Sequence, residues 1–402
     1  MMRVSTADFF ARSLASMQQR EGVVAQVQRQ LGSGLKFDNP VADPAGAATV
    51  SRFEAALATS AAFDATVNRA NAALAAEEGA LASVGDVLQR VRELTLQGMS
   101  GAQSVQSRTA LATEVLALRG QLMSLANSRG ADGEHLFAGY SVGAPPFQES
   151  GGAVKYVGDG GQRMLEIGPG NSIAIADAGS TVFAGARAGN GSFTAAAGAA
   201  NAGTLLVGAT SVVGTFVPDD YTVTFSVALD GSMTYSVTGV VSGPVATGLP
   251  YAAGDTLSFN GATLATSGVP ADGDVIAVQP AGRQDMFATL SDIAAALSMP
   301  VGTQQQQAVQ VNQLNRSLEA LDQQLLHVSS VRSDVGSRMK AAEVAADAGA
   351  GVRLQLEQAL SNLRDLDYAE AATQLAKNLT ALQAVQETFS RLANLSLFNF
   401  LR

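Results

Sequence analysis

The sequence predicts an α+β multidomain chain. Its N- and C-terminal helices pair as a coiled coil beside a long-helix bundle, and an all-β domain is inserted between the helical arms. Three observations carry this. Pro is absent from residues 45–144 and 301–402, whereas 26 of the 41 Gly and 8 of the 11 Pro fall between Gly139 and Gly282. Apolar residues recur at threes, fours and sevens through the two Pro-poor arms. The middle alternates apolar and polar residues, which is the period of strands. The expected divisions are residues 1–38 with 365–402 as a terminal coiled-coil core, 39–140 with 282–364 as a helical bundle, and 141–281 as the β insertion.

The first helix carries Phe10, Met17, Val24 and Leu31 at intervals of seven, with Leu14 and Val27 as offset partners and gaps at Arg20 and Glu21. That is a coiled-coil seam. The stretch "LGSGLKFDNPVADPAG" (Leu31 to Gly46) then interrupts helix. Pro blocks a helix interior and disfavours the helical region for the residue before it. Gly32 and Gly34 end the first helix, Pro40 keeps the linker extended, and Asp43 caps a new helix with Pro44 at its first position. Pro40, Asp43 and Pro44 are therefore the expected joint between two layers of structure. Val50, Phe53, Leu57, Phe63, Val67 and Leu74 continue at helical spacing. After a turn at "GMSGAQS", Leu111, Val115, Leu118, Leu122 and Leu125 form a further stripe.

In the middle, "YTVTFSVALDGSMTYSVTG" places Tyr221, Val223, Phe225 and Val227 on one face with a turn at Asp230-Gly231. "DTLSFNGATLA" turns at Asn260-Gly261. Both read as β-hairpins, and "AVKYVGDGGQRMLEIG" is expected to form a third. Helix returns with Val311, Leu314, Leu318, Leu321, Leu325, Val328, Val335 and Met339, broken only by Arg332. Asp367 with Glu370 resembles a capping box opening the last helix. There Tyr368, Leu375, Leu382 and Phe389 recur at sevens, with Val385 and Leu392 offset by three. Helices at the two ends need a partner, either each other or another subunit.

The chain has 402 residues, a net charge of −10 and no Cys or Trp. Disulfides, thiol nucleophiles and Cys-based metal centres are excluded. Residues 141–280 hold ten acidic and three basic residues, a balance of −7, whereas residues 1–40 stand at +2. Basic clusters interleaved with aromatic residues are missing, so no nucleic-acid partner is expected. The first twenty residues lack the apolar core of a Sec signal. The charge-free run Ala188 to Pro218 is too rich in Gly, Ser, Thr and Asn for a membrane helix, so no membrane insertion is expected.

Enzyme signals are nearly absent. His135 reads as a solvated turn residue and His327 as a residue at a bundle edge. Walker A, H-E-x-x-H and G-x-S-x-G sequences are missing. Asp272 with Asp274, and Asp219 with Asp220, fit turns better than a Ca²⁺ loop. The sequon at Asn190 carries little weight without a Sec signal. No catalytic residue, cofactor or metal site is expected. Periodic ends around a β insertion describe a self-assembling structural protein.

The residues resemble the flagellin-like axial proteins of bacterial flagella. "QLGSGLKFDNPVADPAGAA" looks like that family's N-terminal signature, and "VLQRVRELTLQG" resembles its helical segment. "LFAGYSVGAPPF", "YVGDGGQRMLEIGPGNSIAIADAGSTVF", "GDTLSFNGATLATSGVPADGDVIAVQP" and the ending "DLDYAEAATQLAKNLTALQAVQETFSRLANLSLFNFL" resemble the hook–filament junction branch more specifically.

The resemblance implies a ring of copies between hook-associated protein 1 and the flagellin filament. It implies extracellular placement in the flagellum after type III export, with an export chaperone on the C-terminal helix. Flagellin itself is the alternative reading, and an adhesive side role for the acidic β domain stays open. Phe10, Leu14, Met17, Val24, Val27, Leu31, Tyr368, Leu375, Leu382, Val385, Phe389 and Leu392 are then the expected assembly interface. Residues 1–38 and 365–402 are expected to be mobile before assembly and ordered after it. The "QRVREL" segment resembles a flagellin patch bound by host receptors, but Arg90 and Glu93 read equally as solvated bundle charges.

Overall fold

The structure, a computed structural model, describes residues 6–36, 43–100 and 103–400. Three helices come first, α1 (Thr6–Ser33), α2 (Pro44–Met99) and α3 (Val105–Ala126). Two hairpins follow, β1 (Phe147–Ser150) with β2 (Ala153–Tyr156) and β3 (Met164–Gly168) with β4 (Asn171–Ala174). A short helix, α4 (Gly179–Ala184), precedes the strands β5 (Phe193–Ala197), β6 (Leu206–Val212), β7 (Tyr221–Val227) and β8 (Met233–Gly239). Next come β9 (Gly243–Pro250), β10 (Thr256–Phe259), β11 (Ala262–Ser267) and β12 (Val275–Pro280). The chain closes with α5 (Met286–Ser298), α6 (Gln304–Arg364) and α7 (Tyr368–Phe400). Contacts divide it into two compact units, Met1–Ala65 with Ala346–Arg402, and Thr66–Ala345.

In the second unit, Leu74, Leu81, Leu88 and Val91 of α2 are buried, as are Leu111, Val115 and Leu122 of α3. Leu290, Ile293 and Leu297 of α5 and Leu314, Leu321, Val328 and Val335 of α6 are buried too. The α2–α3 break lies in the "GMSGAQS" turn, where Ser104 Oγ accepts the Ser107 N–H at 3.0 Å and opens α3. Two buried amides of this unit donate to neighbouring helices: Gln324 to Thr289 Oγ1 at 2.7 Å and Gln310 to the Ala296 carbonyl at 2.8 Å. Arg332 interrupts its apolar stripe because it reaches Glu78 of α2 at 2.6 Å.

The strands form a five-stranded sheet of order β5-β12-β7-β8-β9 and a three-stranded sheet of order β10-β11-β6. Phe193, Tyr221, Val223, Phe225, Val237 and Ile276 from the first share one core with Val207, Leu257, Phe259 and Leu264 from the second. The β7–β8 and β10–β11 hairpins lie where the alternation and the Asp-Gly and Asn-Gly turns place them. Asn260 (φ 42°) and Gly261 (φ 81°) take the two left-handed positions of that second turn.

One expectation is corrected. "AVKYVGDGGQRMLEIG" is not one hairpin. Its first strand is β2, which pairs back with β1, and its second is β3, which pairs forward with β4. The intervening "GDGG" is a loop gathered by Asp159, whose carboxylate accepts from Tyr140 N–H, Gly161 N–H and Ser141 Oγ. These bonds lower the Asp159 pKa. The inserted β domain also carries one short helix. Residues 179–184 form α4, and Phe183 packs with Phe137, Phe147 and Phe287 of α5 at ring-centroid distances of 5.1 to 5.9 Å. Aromatic packing binds residues 137–184 to a bundle helix rather than to the large sheets.

One contact of the sheets to the helices is polar. β6 is an edge strand, and its free edge is met by α6. Asn312 accepts the Val207 N–H at 2.7 Å and donates to the Leu205 carbonyl at 2.9 Å. Asn315 donates to the Val207 carbonyl at 2.8 Å, and Glu319 accepts the Thr210 N–H and hydroxyl, both at 2.9 Å. Positions 312, 315 and 319 lie on one helix face. They satisfy an edge that would otherwise stand open to pairing. Burial pushes the Glu319 pKa upward.

Candidate assembly interface

In the first unit, α1 packs on α7. Val24 and Val27 are the buried pair of the α1 seam, at 8% and 5% exposure. Met17 and Leu31 are partly buried, and so are Leu375, Leu382, Val385 and Phe389 of α7. Leu14 and Tyr368 stand open at 48% and 58%. The side chains of Phe10 and Leu392 lie outside the described residues. The seven-residue rows thus lie in two helices that meet, but among the described residues of the α1 row one chain fully buries only Val24 and Val27. Much apolar surface stays in water, where each square ångström covered is worth about 25 cal/mol.

The joint is built from both arms. Gly34 closes α1 with φ 73° and donates its N–H to the Gln30 carbonyl at 2.8 Å, a left-handed cap. Residues 34–36 then lie antiparallel to the break between α6 and α7. Lys36 N–H donates to the Arg364 carbonyl at 2.7 Å, and Leu366 N–H to the Gly34 carbonyl at 2.9 Å. The Lys36 ammonium adds a bond to the Asn362 carbonyl at 2.7 Å, and Gln30 Nε2 donates to the Lys36 carbonyl at 2.6 Å.

Pro40 lies outside the described residues. Asp43 Oδ1 accepts the Gly46 N–H at 2.9 Å and Pro44 is the first residue of α2. Asp367 caps α7 by accepting the Ala369 and Glu370 N–H groups at 2.9 and 3.1 Å. Glu370 itself turns to Gln374 at 3.4 Å, leaving the capping box half made. Beyond the joint, Arg353 pairs with Asp64 at 2.6 Å and Arg364 with Glu54 at 3.7 Å, linking α6 to α2.

The residues considered for chemistry serve structure. His135 is not solvated. It is 3% exposed, with Nδ1 at 2.8 Å from the Asn127 carbonyl, because the 127–142 loop folds over it. His327 is partly buried, with Nε2 at 2.8 Å from the Thr181 carbonyl. Asp219 gathers the N–H groups of Asp220, Val241 and Ser242, and Asp274 those of Ala202, Gly203 and Ala271. Both acids organise loops. Among the described residues, no cluster of three or more His, Cys, Asp or Glu has metal-binding geometry. No helix among them is long and apolar enough to cross a membrane. Arg90 bonds Glu114 of α3 at 2.8 Å and Glu93 at 3.0 Å on the bundle surface.

The model of the bacterial flagellin N-terminal helical region matches residues 4–142, and that of the C-terminal helical region matches residues 318–401. The crystal structure of flagellar hook associated protein-3 from Legionella pneumophila is similar, with 30% identity and a TM-score of 0.75. The match covers 78% of this chain and 98% of that one. FlgL of Xanthomonas campestris matches at 33% identity and a TM-score of 0.71, over 77% of this chain and 99% of that one. The chain belongs to the flagellar hook-associated protein 3 (FlgL) family. Flagellar hook-associated protein 3 of Escherichia coli strain K12 agrees with this at 22% identity over 99% of both chains. Flagellins of Vibrio species match over about a third of this chain. In this FlgL-family chain the matched helical regions contain both seam rows and both strands of the joint. A chain of this family is a structural component of the flagellum.

Proposed function

We propose that copies of this chain form the structural junction between the flagellar hook and the filament. In this reading they bind hook-associated protein 1 on one side and flagellin on the other. The observation that carries the reading is the paired terminal helices, whose apolar rows are only partly covered within one chain, in a chain of the FlgL family. Neighbouring copies would cover the remainder of the row from Phe10 to Leu31 and of the row from Tyr368 to Leu392, closing a ring. Residues 1–38 with 365–402 would be the polymerising core. Residues 39–140 with 282–364 would form the surrounding bundle, and residues 141–281 the outward domain. Export would follow the flagellar type III route, with a chaperone covering the C-terminal helix until assembly. Joined breaks at residues 34–36 and 364–366 support a joint at the edge of the terminal core.

Deletion of the gene tests this. Cells are expected to be non-motile, with hooks but no filaments and with unpolymerised flagellin in the medium. Filaments of normal length on the deletion strain would overturn the proposal. Flagellin itself is the second reading, since the flagellin helical models match both ends. It predicts that the chain makes up the bulk of sheared filaments, whereas a junction subunit is a trace component of them.

A further inference from the structure

Glu77 lies on α2 in the second unit and is fully buried. One carboxyl oxygen accepts the Asp177 N–H at 3.0 Å, and the other, Oε2, has no partner. Asp177, 9% exposed, is already ion-paired with Arg338 of α6 and accepts from Gln162 Nε2 at 2.9 Å. Arg338 also donates to the Ala174 carbonyl at 3.3 Å. The other charged groups nearby are engaged: Glu78 binds Arg332, and Arg163 binds Glu134. Two carboxyl groups thus meet one cation, and that cation is committed to Asp177.

An ionised Glu77 would carry a buried charge with one N–H donor and no counter-ion, which is costly. A proton on Oε2 removes that charge and supplies a donor beside the Asp177 carboxylate. We propose that Glu77, Asp177 and Arg338 form a proton-operated clasp that fastens residues 174–178 to α2 and α6. While the proton is in place, the segment leading into α4 stays seated on the bundle. Loss of the proton sets two carboxylates against each other, and the segment lifts.

The pKa of Glu77 is raised to about 8, first by burial and then by the Asp177 charge. The sign follows directly. When the segment opens, Glu77 returns to an ordinary carboxylate pKa, so the closed state binds the proton more tightly. The closed state is therefore fully favoured below the ordinary carboxylate range. It loses ground as pH rises, and the loss stops once Glu77 ionises in the closed state as well, near pH 8. The clasp lies outside the terminal helices and does not depend on the assembly proposed above.

The test is amide hydrogen exchange of residues 174–184 in the full-length subunit from pH 5 to pH 9, with each rate divided by its intrinsic value at that pH. The opening constant of wild type is expected to rise about tenfold per pH unit between pH 5 and about pH 8, then level off. Glu77→Gln mimics the protonated side chain, and its opening constant is expected to stay flat. A flat wild-type profile, or the same slope in Glu77→Gln, would overturn the proposal. Asp177→Asn provides an independent arm should the first variant fail to fold. With the competing carboxylate gone and Arg338 released, the levelling-off is expected at lower pH, and an unchanged profile would contradict the clasp.

Discussion

Asn312 shows how much the contact between α6 and β6 is worth. Its side chain makes two hydrogen bonds to the strand edge, at 2.7 and 2.9 Å, next to Leu205 and Val207, which are 2% and 4% exposed. Asn312→Ala strands one backbone N–H and one carbonyl. A buried group left without its partner costs about 1–3 kcal/mol. A cavity of about 280 Å³ lined by Leu205 and Asn312 adjoins the site, so water can reach the stranded groups and the lower end applies. Two groups then cost about 2 kcal/mol, and the better helix propensity of Ala returns about 0.5 kcal/mol. The expected net loss is about 1.5 kcal/mol, read by urea unfolding at 25 °C with the slope checked for constancy. Asn68→Ala, at an exposed position of α2, serves as the control and is expected to be neutral or slightly stabilising. A loss at Asn312 below about 0.5 kcal/mol would refute the view that the helix seals this edge.

At the joint, Gly34→Ala forces a Cβ into a φ of 73° and to 2.7 Å from the Tyr368 hydroxyl. The tyrosine is exposed and can swing away, so the backbone conformation decides, at about 1 kcal/mol. Faster exchange at Lys36 and Leu366 N–H is the expected readout, and wild-type protection there would count against it. In the seam, Leu382→Asp with Phe389→Asp is expected to leave the cooperative unfolding of residues 66–345 unchanged while abolishing incorporation into flagella. Wild-type motility in the double variant would refute the seam assignment.

The readable parts of this chain are those set by short-range period. Seven-residue rows, the alternation of β7 and β8 and the Asn260-Gly261 turn all follow from local chemistry. What the local pattern hides is partner choice over distance. β2 and β3 look like a hairpin because they are near neighbours, yet each has a closer antiparallel partner across its own glycine turn, Gly151-Gly152 or Pro169-Gly170. His135 looks solvated beside Glu134, yet a loop closes over it. Asn312 and Asn315 look like polar gaps in an apolar helix, yet their spacing matches a strand edge more than a hundred residues away.

The candidate interface divides the same way. Spacing identifies which face of α1 and α7 is apolar, and it assigns both Leu14 and Val24 to the α1 seam. Only the fold separates them, burying Val24 and leaving Leu14 nearly half exposed. The joint was legible as an interruption, from Gly34, Asp43 and Pro44. Its second strand at residues 364–366 carries no Pro or Gly, so nothing local marks it as the place where the interruption is fastened. Because backbone groups at Gly34, Lys36, Arg364 and Leu366 make that fastening, side-chain identity is freer at Leu35 and Leu366 than at Lys36, whose ammonium bonds the Asn362 carbonyl. The left-handed glycine that ends α1 is not free in that sense, since an L side chain at φ 73° is strained whatever stands opposite it.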